Sequence, residues 1–293
     1  MRGIVKSFMT VLFVQASLLG SAAGQTPANL SGATRSVIAN VIDSHGNPVR
    51  DLTKESFALF LNGKPAVVTN ARYSSAAHRI VVLLDLSGSM AGTTTSGKWR
   101  IAVEAVRDLL TQTDSGLPIA MVTFASGIQE TFDFHQGKTA ILNWLLQNAD
   151  RPPKLKKKKT ALFDAIGAAL KLLGDPQFGD AIYAITDGGE NASSFSAHKI
   201  EEDLLHSGVR LFSLLFGGPI SPHEAEAEGS FAGMIENSGG QAFVLPGLPI
   251  RGVWDAQYSY DSVNRGYVET YTADLNTEIN GFWILELAQP SSG

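Results

Sequence analysis

The fold is decided by Ile80-Val81-Val82-Leu83-Leu84-Asp85-Leu86-Ser87-Gly88-Ser89. The first five residues are an unbroken apolar run, which is typical of a β-strand buried on both faces of a parallel sheet. A carboxylate and two hydroxyls follow at alternate positions, and Gly88 between the hydroxyls allows a tight backbone turn. The stretch therefore predicts a buried strand whose carboxyl end opens into a loop of oxygen-bearing side chains.

On the carboxyl-terminal side of this stretch, apolar runs of strand length alternate with apolar residues at helical spacing. Strand predictions cover 119–124, 181–186, 211–216 and 242–245, and helix predictions cover 101–110, 139–147, 161–173, 200–206 and 231–237. This alternation predicts an α/β fold with a doubly wound, mostly parallel sheet of the Rossmann-like type. Such sheets bind ligands beyond the carboxyl ends of their strands, where the strand order switches.

The segments that flank the α/β region have a different pattern. Upstream, 37–43 is predicted to be a strand, and Asn62-Gly63 separates two further strand-like runs, which is the strongest short signal for a β-hairpin. Downstream, 249–264 has a helical pattern, and 266–271 and 281–287 have the pattern of two strands around a polar turn. We therefore expect a small β module before the α/β region, and a helix with two strands after it.

Residues 1–24 have the pattern of a secretory signal, because Arg2 and Lys6 are basic, 8–19 is apolar and the residues at 21–24 are small. The apolar stretch is short for a membrane span, and no other run approaches the ~18 apolar residues that a transmembrane helix needs. We expect a bacterial protein that is exported to the periplasm or secreted. After removal of the signal, no transmembrane segment is expected.

Composition narrows the function classes. The 293 residues are 44% hydrophobic and 17% charged, which is enough for a core and rules out disorder as the main state. The absence of cysteine excludes disulfides, thiolate metal sites and cysteine nucleophiles. The net charge of −5 argues against a nucleic-acid binder. Phosphate-binding Gly-rich loops and a nucleophile elbow are absent from the sequence, so we expect no enzymatic activity.

Two further oxygen-bearing side chains fall at the ends of other predicted elements. Thr160 opens the helix at 161–173, and Asp187 ends the strand at 181–186. Because such ends converge on one face of a parallel sheet, these side chains and Asp85 are expected close together. Carboxylate and hydroxyl oxygens are the ligands that Mg²⁺ prefers. The alternative is that the loop after Asp85 merely caps the next helix, as Asp and Ser often do.

The order of these motifs resembles that of a von Willebrand factor type A domain with a complete metal-ion-dependent adhesion site. The metal-site residues that the resemblance implies are Asp85, Ser87, Ser89, Thr160 and Asp187. The two serine hydroxyls would bind the metal directly, the threonine directly or through water, and the carboxylates mainly through water. The implied cation is Mg²⁺, with Mn²⁺ or Ca²⁺ as alternatives. One open coordination position would take an Asp or Glu of a protein partner.

The region before this domain resembles the front of the secreted acidobacterial type A-related family, in the segments Pro48–Phe57 (PVRDLTKESF) and Asn62–Pro65 (NGKP). In that family a β module precedes the type A domain, and the tail of the chain returns to the module. The implied organisation is a signal peptide at 1–24, a linker at 25–34, a β module at 35–76 with 266–290 as its candidate completion, a type A domain at 78–246 and a helix/strand segment at 247–293.

The predicted function is therefore that of an exported module that binds an acidic residue of a protein partner through a divalent cation. Lys156, Lys157, Lys158 and Lys159 precede Thr160 and would attract such a partner, the alternative being a solvated loop. Two other functions stay open. One is a structural or assembly subunit of a bacterial envelope complex with a vestigial metal site. The other is a hydrolase that activates water with the same metal, for which the sequence offers no evident base.

Overall fold

The structure is a computed structural model, which describes residues 35–41, 43, 48–61, 64–75, 78–91, 97–150, 152–153, 159–217, 222–245 and 256–288. Several sequence-based predictions lie outside these residues. They are the signal segment 1–24, the linker 25–34, the part 249–255 of the helix predicted at 249–264, and three of the candidate partner-binding lysines, Lys156, Lys157 and Lys158.

Within that part of the chain the strands are, in order, β1 (Arg35–Ala39), β2 (Leu59–Leu61), β3 (Lys64–Ala66), β4 (Val68–Ser74), β5 (Ile80–Asp85), β6 (Ile119–Phe124), β7 (Ile128–Phe132), β8 (Ala181–Thr186), β9 (Arg210–Phe216), β10 (Ala242–Leu245) and β11 (Phe282–Leu287). The helices are α1 (Gly88–Ala91), α2 (Lys98–Gln112), α3 (Gly137–Asn148), α4 (Leu162–Leu173), α5 (Ala197–Ser207), α6 (Pro222–Asn237) and α7 (Ala256–Ile279). Among these helices, none combines the length and the apolar character that a membrane span requires.

Six strands form the central sheet, in the order β10-β9-β8-β5-β6-β7. All neighbours pair in parallel except β6 and β7, which are antiparallel. Every residue of β5, β6, β8 and β9 is buried, as the continuous apolar runs predict. The predicted fold class, an α/β fold with a mostly parallel sheet, is confirmed. The edge strand β7 is not predicted, because its residues are mainly polar and exposed.

Helices cover both faces of this sheet, because successive side chains of a strand point to opposite faces. On one face, Val82 and Leu84 of β5 pack in a cluster with residues of α2, α3 and α7. On the other face, Val81 and Leu83 pack in a cluster with residues of α4, α5 and α6. The loops at the strand ends are therefore the natural place for functional side chains.

A second, smaller sheet has the order β1-β11-β4 and is antiparallel throughout. Its central strand comes from the tail of the chain, whereas its two outer strands precede the α/β region. Trp283 of β11 packs against Phe57 and Tyr73 at ring-centroid distances of 5.4 and 5.7 Å, and its indole N–H donates to the Val49 carbonyl at 2.9 Å. Beside this sheet, β2 and β3 pair as the hairpin predicted around Asn62-Gly63.

The prediction of a strand at 266–271 is wrong, because these residues belong to helix α7. The β-branched and aromatic residues of this segment favour a strand by local propensity. In the folded chain, however, Val268, Leu275 and Ile279 lie at helical spacing and are buried in the cluster that contains α2. Packing against α2 therefore overrides the local preference. The strand predicted at 281–287 is present as β11.

Arg210, the first residue of β9, is 1% exposed and joins the central sheet to the smaller one. Its guanidinium donates to the carbonyl oxygens of Glu278 (2.9 Å) and Ile279 (3.3 Å) and to Asn40 Oδ1 (3.3 Å). The same group lies 5.0 Å from the ring centroid of Phe282. Burial lowers the pKa of Arg210 to about 10. These hydrogen bonds offset part of the loss of hydration, since the buried Nε has no hydrogen-bond partner among the described residues.

Candidate metal centre

Two aspartates lie at neighbouring strand ends. Asp85 is the last residue of β5, and Asp187 follows Thr186, the last residue of β8. Because β5 and β8 are adjacent and parallel, both carboxylates lie at the carboxyl edge of the sheet. From here the chain continues to β6 on one side and to β9 on the other, so the strand order switches between these two strands. This is where doubly wound sheets bind their ligands.

The Asp85 carboxylate is fully buried and has donors on both oxygens. Oδ1 accepts the backbone N–H of Ser87 at 2.7 Å, and Oδ2 accepts the hydroxyl of Thr186 at 2.7 Å. Burial, followed by the negative charge of Asp187, raises the pKa of Asp85 to about 7. The repulsion between the two carboxylates favours a bound cation, because a nearby positive charge stabilises their ionised forms.

The loop after Asp85 brings two hydroxyls together. Those of Ser87 and Ser89 lie 3.1 Å apart, with Ser87 buried and Ser89 exposed. The next long helix, α2, begins at Lys98, and its N-cap Gly97 makes no side-chain capping bond. The loop hydroxyls therefore do not cap α2; the helix that directly follows Ser87 is the four-residue α1.

Thr160 reaches the same edge from the segment before α4. The residue is 3% exposed, its N–H donates to Asn191 Oδ1 at 3.0 Å, and its carbonyl accepts the N–H of Asn191 at 2.9 Å. The N–H of Ala161 donates to the carbonyl of Ala125, which follows β6, at 2.6 Å. These bonds hold Thr160 between the loops that follow β6 and β8.

Gly189 leaves space between Thr160 and Asp187. A Cβ at this position would lie 3.5 Å from Asp187 Oδ1 and 3.6 Å from Thr160 Oγ1. Both oxygens therefore border the same space, and the glycine keeps that space free of side-chain atoms. In this way the structure brings the predicted threonine and the second predicted aspartate together.

Glu190 shapes the loop after β8. The residue is 7% exposed and accepts bonds from the N–H groups of Phe163 (3.1 Å), Ala192 (2.9 Å) and Ser193 (2.8 Å), and from the Ser193 hydroxyl (2.6 Å). Because Phe163 lies in the first turn of α4, these bonds join the loop to the helix that follows Thr160. The carboxylate of Glu190 is thus engaged in holding the loop.

Lys98 brings a cation to this edge, which the sequence analysis does not predict. Its Nζ donates to Asp187 Oδ2 at 3.0 Å, and the residue is 8% exposed. The two residues are 89 positions apart, so no local pattern signals the pair. Thr186, which donates to Asp85, is also identified only by the structure. The fourth candidate partner-binding lysine, Lys159, is exposed beside Thr160.

The donor set fits a hard divalent cation. Three hydroxyls and two carboxylates offer oxygen ligands alone, as Mg²⁺, Mn²⁺ and Ca²⁺ prefer, whereas structural zinc sites use mainly nitrogen and sulfur. In the described residues, no three His, Cys, Asp or Glu side chains are grouped so as to hold a metal ion. A cation at this edge would therefore depend on the hydroxyls as well as on the two carboxylates.

Comparison with protein families agrees with the motif order. Residues 80–190 match the family model of the von Willebrand factor type A domain. The matched segment contains all the candidate metal-site residues, namely Asp85, Ser87, Ser89, Thr160 and Asp187. The comparison with curated proteins gave no match.

Among solved structures, the chain is similar to proximal thread matrix protein 1 from the mussel byssus, with 16% identity over 75% of this chain and a TM-score of 0.52. The match covers 50% of the mussel protein. Another structure of that protein, with a zinc-occupied MIDAS motif, has the same identity and TM-score, 16% and 0.52. An aerotolerance-related membrane protein from Bacteroides fragilis matches with 17% identity over 70% of this chain and 99% of its own, at a TM-score of 0.49. At these identities the likeness to the mussel protein is one of fold.

Proposed function

We propose that this chain is an exported, non-enzymatic module that binds an acidic residue of a protein partner through a divalent cation. One observation carries the proposal: the loops that carry the two carboxylates and the three hydroxyls lie at the edge of the sheet where the strand order switches. The match of 80–190 to the type A domain family supports the same function. The signal-like pattern of 1–24 supports export.

The oxygen-bearing residues have separate roles in this proposal. The hydroxyls of Ser87 and Ser89 hold the cation directly, and Thr160 holds it directly or through water. Asp85 and Asp187 neutralise its charge, mainly through bound water. When bound, the cation supplies a Lewis-acid position for one carboxylate oxygen of the partner. The exposure of Ser89 supports access of a partner to this position.

The surroundings of the site favour binding over catalysis. A metal-assisted hydrolase needs a base positioned to take a proton from water. Glu190 uses its carboxylate for the backbone of its own loop and of α4. The ammonium of Lys98 is paired with Asp187. Neither group is free to act as that base.

Thermal unfolding of the chain without residues 1–24 tests the cation part of the proposal. We expect the Tm in Mg²⁺ or Mn²⁺ to exceed the Tm in EDTA, because a cation that binds only the folded state stabilises it by about 2.7 kcal/mol at a hundredfold excess over Kd. Asp85→Asn should abolish the rise. Asp180→Asn is the matched control, since Asp180 is equally buried but precedes β8 at the opposite edge of the sheet, where it pairs with Arg79.

The acidic-ligand part is tested with a short peptide, acetyl-Gly-Glu-Gly-amide, and its glutamine counterpart. Binding measured by calorimetry should require both the cation and the glutamate carboxylate. A wild-type protein whose Tm does not respond to millimolar Mg²⁺, Mn²⁺ or Ca²⁺ contradicts the proposal. The assembly-subunit function, with a vestigial metal site, would then be the better account.

A further inference from the structure

Lys98 stands where helix energetics disfavour a lysine. It is the first residue of α2, so its ammonium lies near the positive end of the helix dipole. It is also 8% exposed, and lysines are rarely buried unless they are paired. Both costs are offset by the ion pair with Asp187, whose side chain is itself 12% exposed. The Lys98 ammonium is therefore held at the carboxyl edge of the sheet by its ion pair with Asp187, a candidate metal-site residue.

The two oxygens of Asp187 have different neighbours. Oδ2 accepts from Lys98 Nζ at 3.0 Å. Oδ1 borders the space beside Gly189, which it shares with the hydroxyl of Thr160. The lysine therefore orients the carboxylate and leaves its other oxygen on the side of the Thr160 hydroxyl. One aspartate can in this way serve the ammonium and a cation at the same time.

Among the charged groups at this edge, Glu190 and Lys159 have opposite charges that cancel, which leaves Asp85, Asp187 and Lys98. Asp85 and Asp187 together carry two negative charges when both are ionised, and a divalent cation balances them. Lys98 then adds one positive charge. A partner carboxylate carries one negative charge, so the edge with cation and partner is again neutral.

We infer that Lys98 sets the charge of the metal site, weakening the binding of the cation itself and leaving the loaded site with the positive charge that selects a carboxylate ligand. This inference rests on the proposed function and deepens it. Repulsion between the ammonium and the cation lowers metal affinity, while attraction between the ammonium and the ligand carboxylate raises ligand affinity. One residue thus acts on the two binding steps with opposite signs.

The test is Lys98→Met, which keeps an unbranched side chain and removes the charge. Mn²⁺ alone is titrated and followed by electron paramagnetic resonance of the free ion. We expect the Kd for Mn²⁺ to fall about tenfold. On the Mn²⁺-saturated protein, the Kd for acetyl-Gly-Glu-Gly-amide should rise about tenfold, whereas binding of the glutamine peptide should not change. A merely structural role for Lys98 would weaken both steps together.

Lys138→Met is the matched control. The Lys138 ammonium is also partly buried and donates to the carbonyls of Thr113 (3.1 Å) and Asp114 (2.6 Å), but these follow α2 at its far end. Lys98→Gln is a second neutral variant, which retains an N–H donor for Asp187 and serves if the methionine variant does not fold. Circular dichroism establishes folding of each variant.

The outcomes separate this inference from the proposed function. If the wild-type protein and the Lys98 variants all fail to bind Mn²⁺, the proposed function fails and the inference fails with it. If the wild-type protein binds Mn²⁺ and the glutamate peptide but the Lys98 variants match Lys138→Met in both steps, only the inference is overturned. A tighter cation together with a weaker peptide, in the Lys98 variants alone, supports the inference.

Discussion

At the scale of single residues, the hydroxyl of Thr186 links the two strands that carry the candidate metal site. It is fully buried at the end of β8, donates its hydroxyl to Asp85 Oδ2 at 2.7 Å and accepts the N–H of Gly188 at 3.1 Å. One hydroxyl thus holds the carboxylate of the neighbouring strand and the first turn of the loop that carries Gly189. Serine and threonine hydroxyls can do this because each is a donor and an acceptor at once.

We expect Thr186→Val to lower both stability and metal affinity. Valine has nearly the same shape but leaves a buried carboxylate oxygen and a buried N–H without a partner, which costs about 1–3 kcal/mol in the free energy of unfolding. The Kd for Mn²⁺ should rise, because the ionised form of Asp85 loses a hydrogen-bond donor. Urea unfolding in EDTA and Mn²⁺ titration measure the two effects.

Thr123→Val is the control for this variant. Thr123 is a fully buried threonine of β6, paired with Leu84, whose hydroxyl accepts the N–H of Glu130 in β7 at 3.1 Å. It should lose stability without a change in metal affinity. Equal changes of the Mn²⁺ Kd in Thr186→Val and Thr123→Val would show that Thr186 has no particular link to the site.

At the scale of secondary-structure elements, α7 is the main departure from the sequence-based expectation. A strand at 266–271 would have ended the α/β region with a hairpin, whereas the helix continues over 24 residues and lies against α2. Its buried face includes Val268, Leu275 and Ile279. Because α2 begins at Lys98, the packing of α7 also supports the helix that brings the ammonium to Asp187.

We expect Leu275→Ala to reduce the free energy of unfolding by about 2–5 kcal/mol, since Leu275 is 0% exposed and its truncation leaves a cavity between α7 and α2. Denaturant unfolding followed by circular dichroism measures the change. Glu269→Ala, on the exposed face of the same helix, should cost only about 0.5 kcal/mol by losing its surface ion pair with Arg265. A loss below about 1 kcal/mol for Leu275→Ala would be inconsistent with α7 as part of the core.

At the scale of the whole molecule, a polar junction links the two sheets. Arg210 of the central sheet contacts Asn40 after β1 and the last carbonyls of α7, immediately before β11. Burial raises the pKa of the nearby Glu278 to about 7; Arg210 and a hydrogen bond from Asn40 oppose the rise, whereas Asp274 adds to it. Glu278, which binds the proton, thus lies beside the Arg210 contacts that attach the small sheet.

We expect the stability of the metal-free protein to fall as pH rises from about 4.5 to about 7, in part because of Glu278. Since its pKa is higher in the folded state than the ordinary value of 4.5, the folded state binds more protons in this window, and the stabilisation is lost as pH rises through 7. Glu278→Gln should flatten this part of the profile, measured by urea unfolding in EDTA at a series of pH values. Glu269→Gln, at an exposed position of α7, should leave the profile unchanged. Parallel profiles for the wild-type protein and Glu278→Gln would rule out this role.

Local patterns explain why much of the fold could be predicted. The continuous apolar runs of β5, β6, β8 and β9 fill strands that are buried on both faces, and helical spacing identified α2 and α4 between them. The candidate site could be predicted in part from local sequence, because Asp85, Ser87 and Ser89 are close neighbours along the chain. Thr160 and Asp187, which are distant in sequence, are predicted from the rule that parallel strand ends share an edge and from the resemblance to the type A domain.

The sequence by itself determined the class of the sheet, the order of its main strands and helices, and the loop that carries an aspartate and two serines, because each of these is encoded over a few neighbouring residues. Tertiary structure alone decided that Lys98 pairs with Asp187, that Thr186 holds Asp85, and that the helical pattern of 249–264 continues as α7 through 266–271. These features depend on contacts between distant parts of the chain. Burial and charge pairing at such contacts outweigh local propensity, and so no local pattern predicts them.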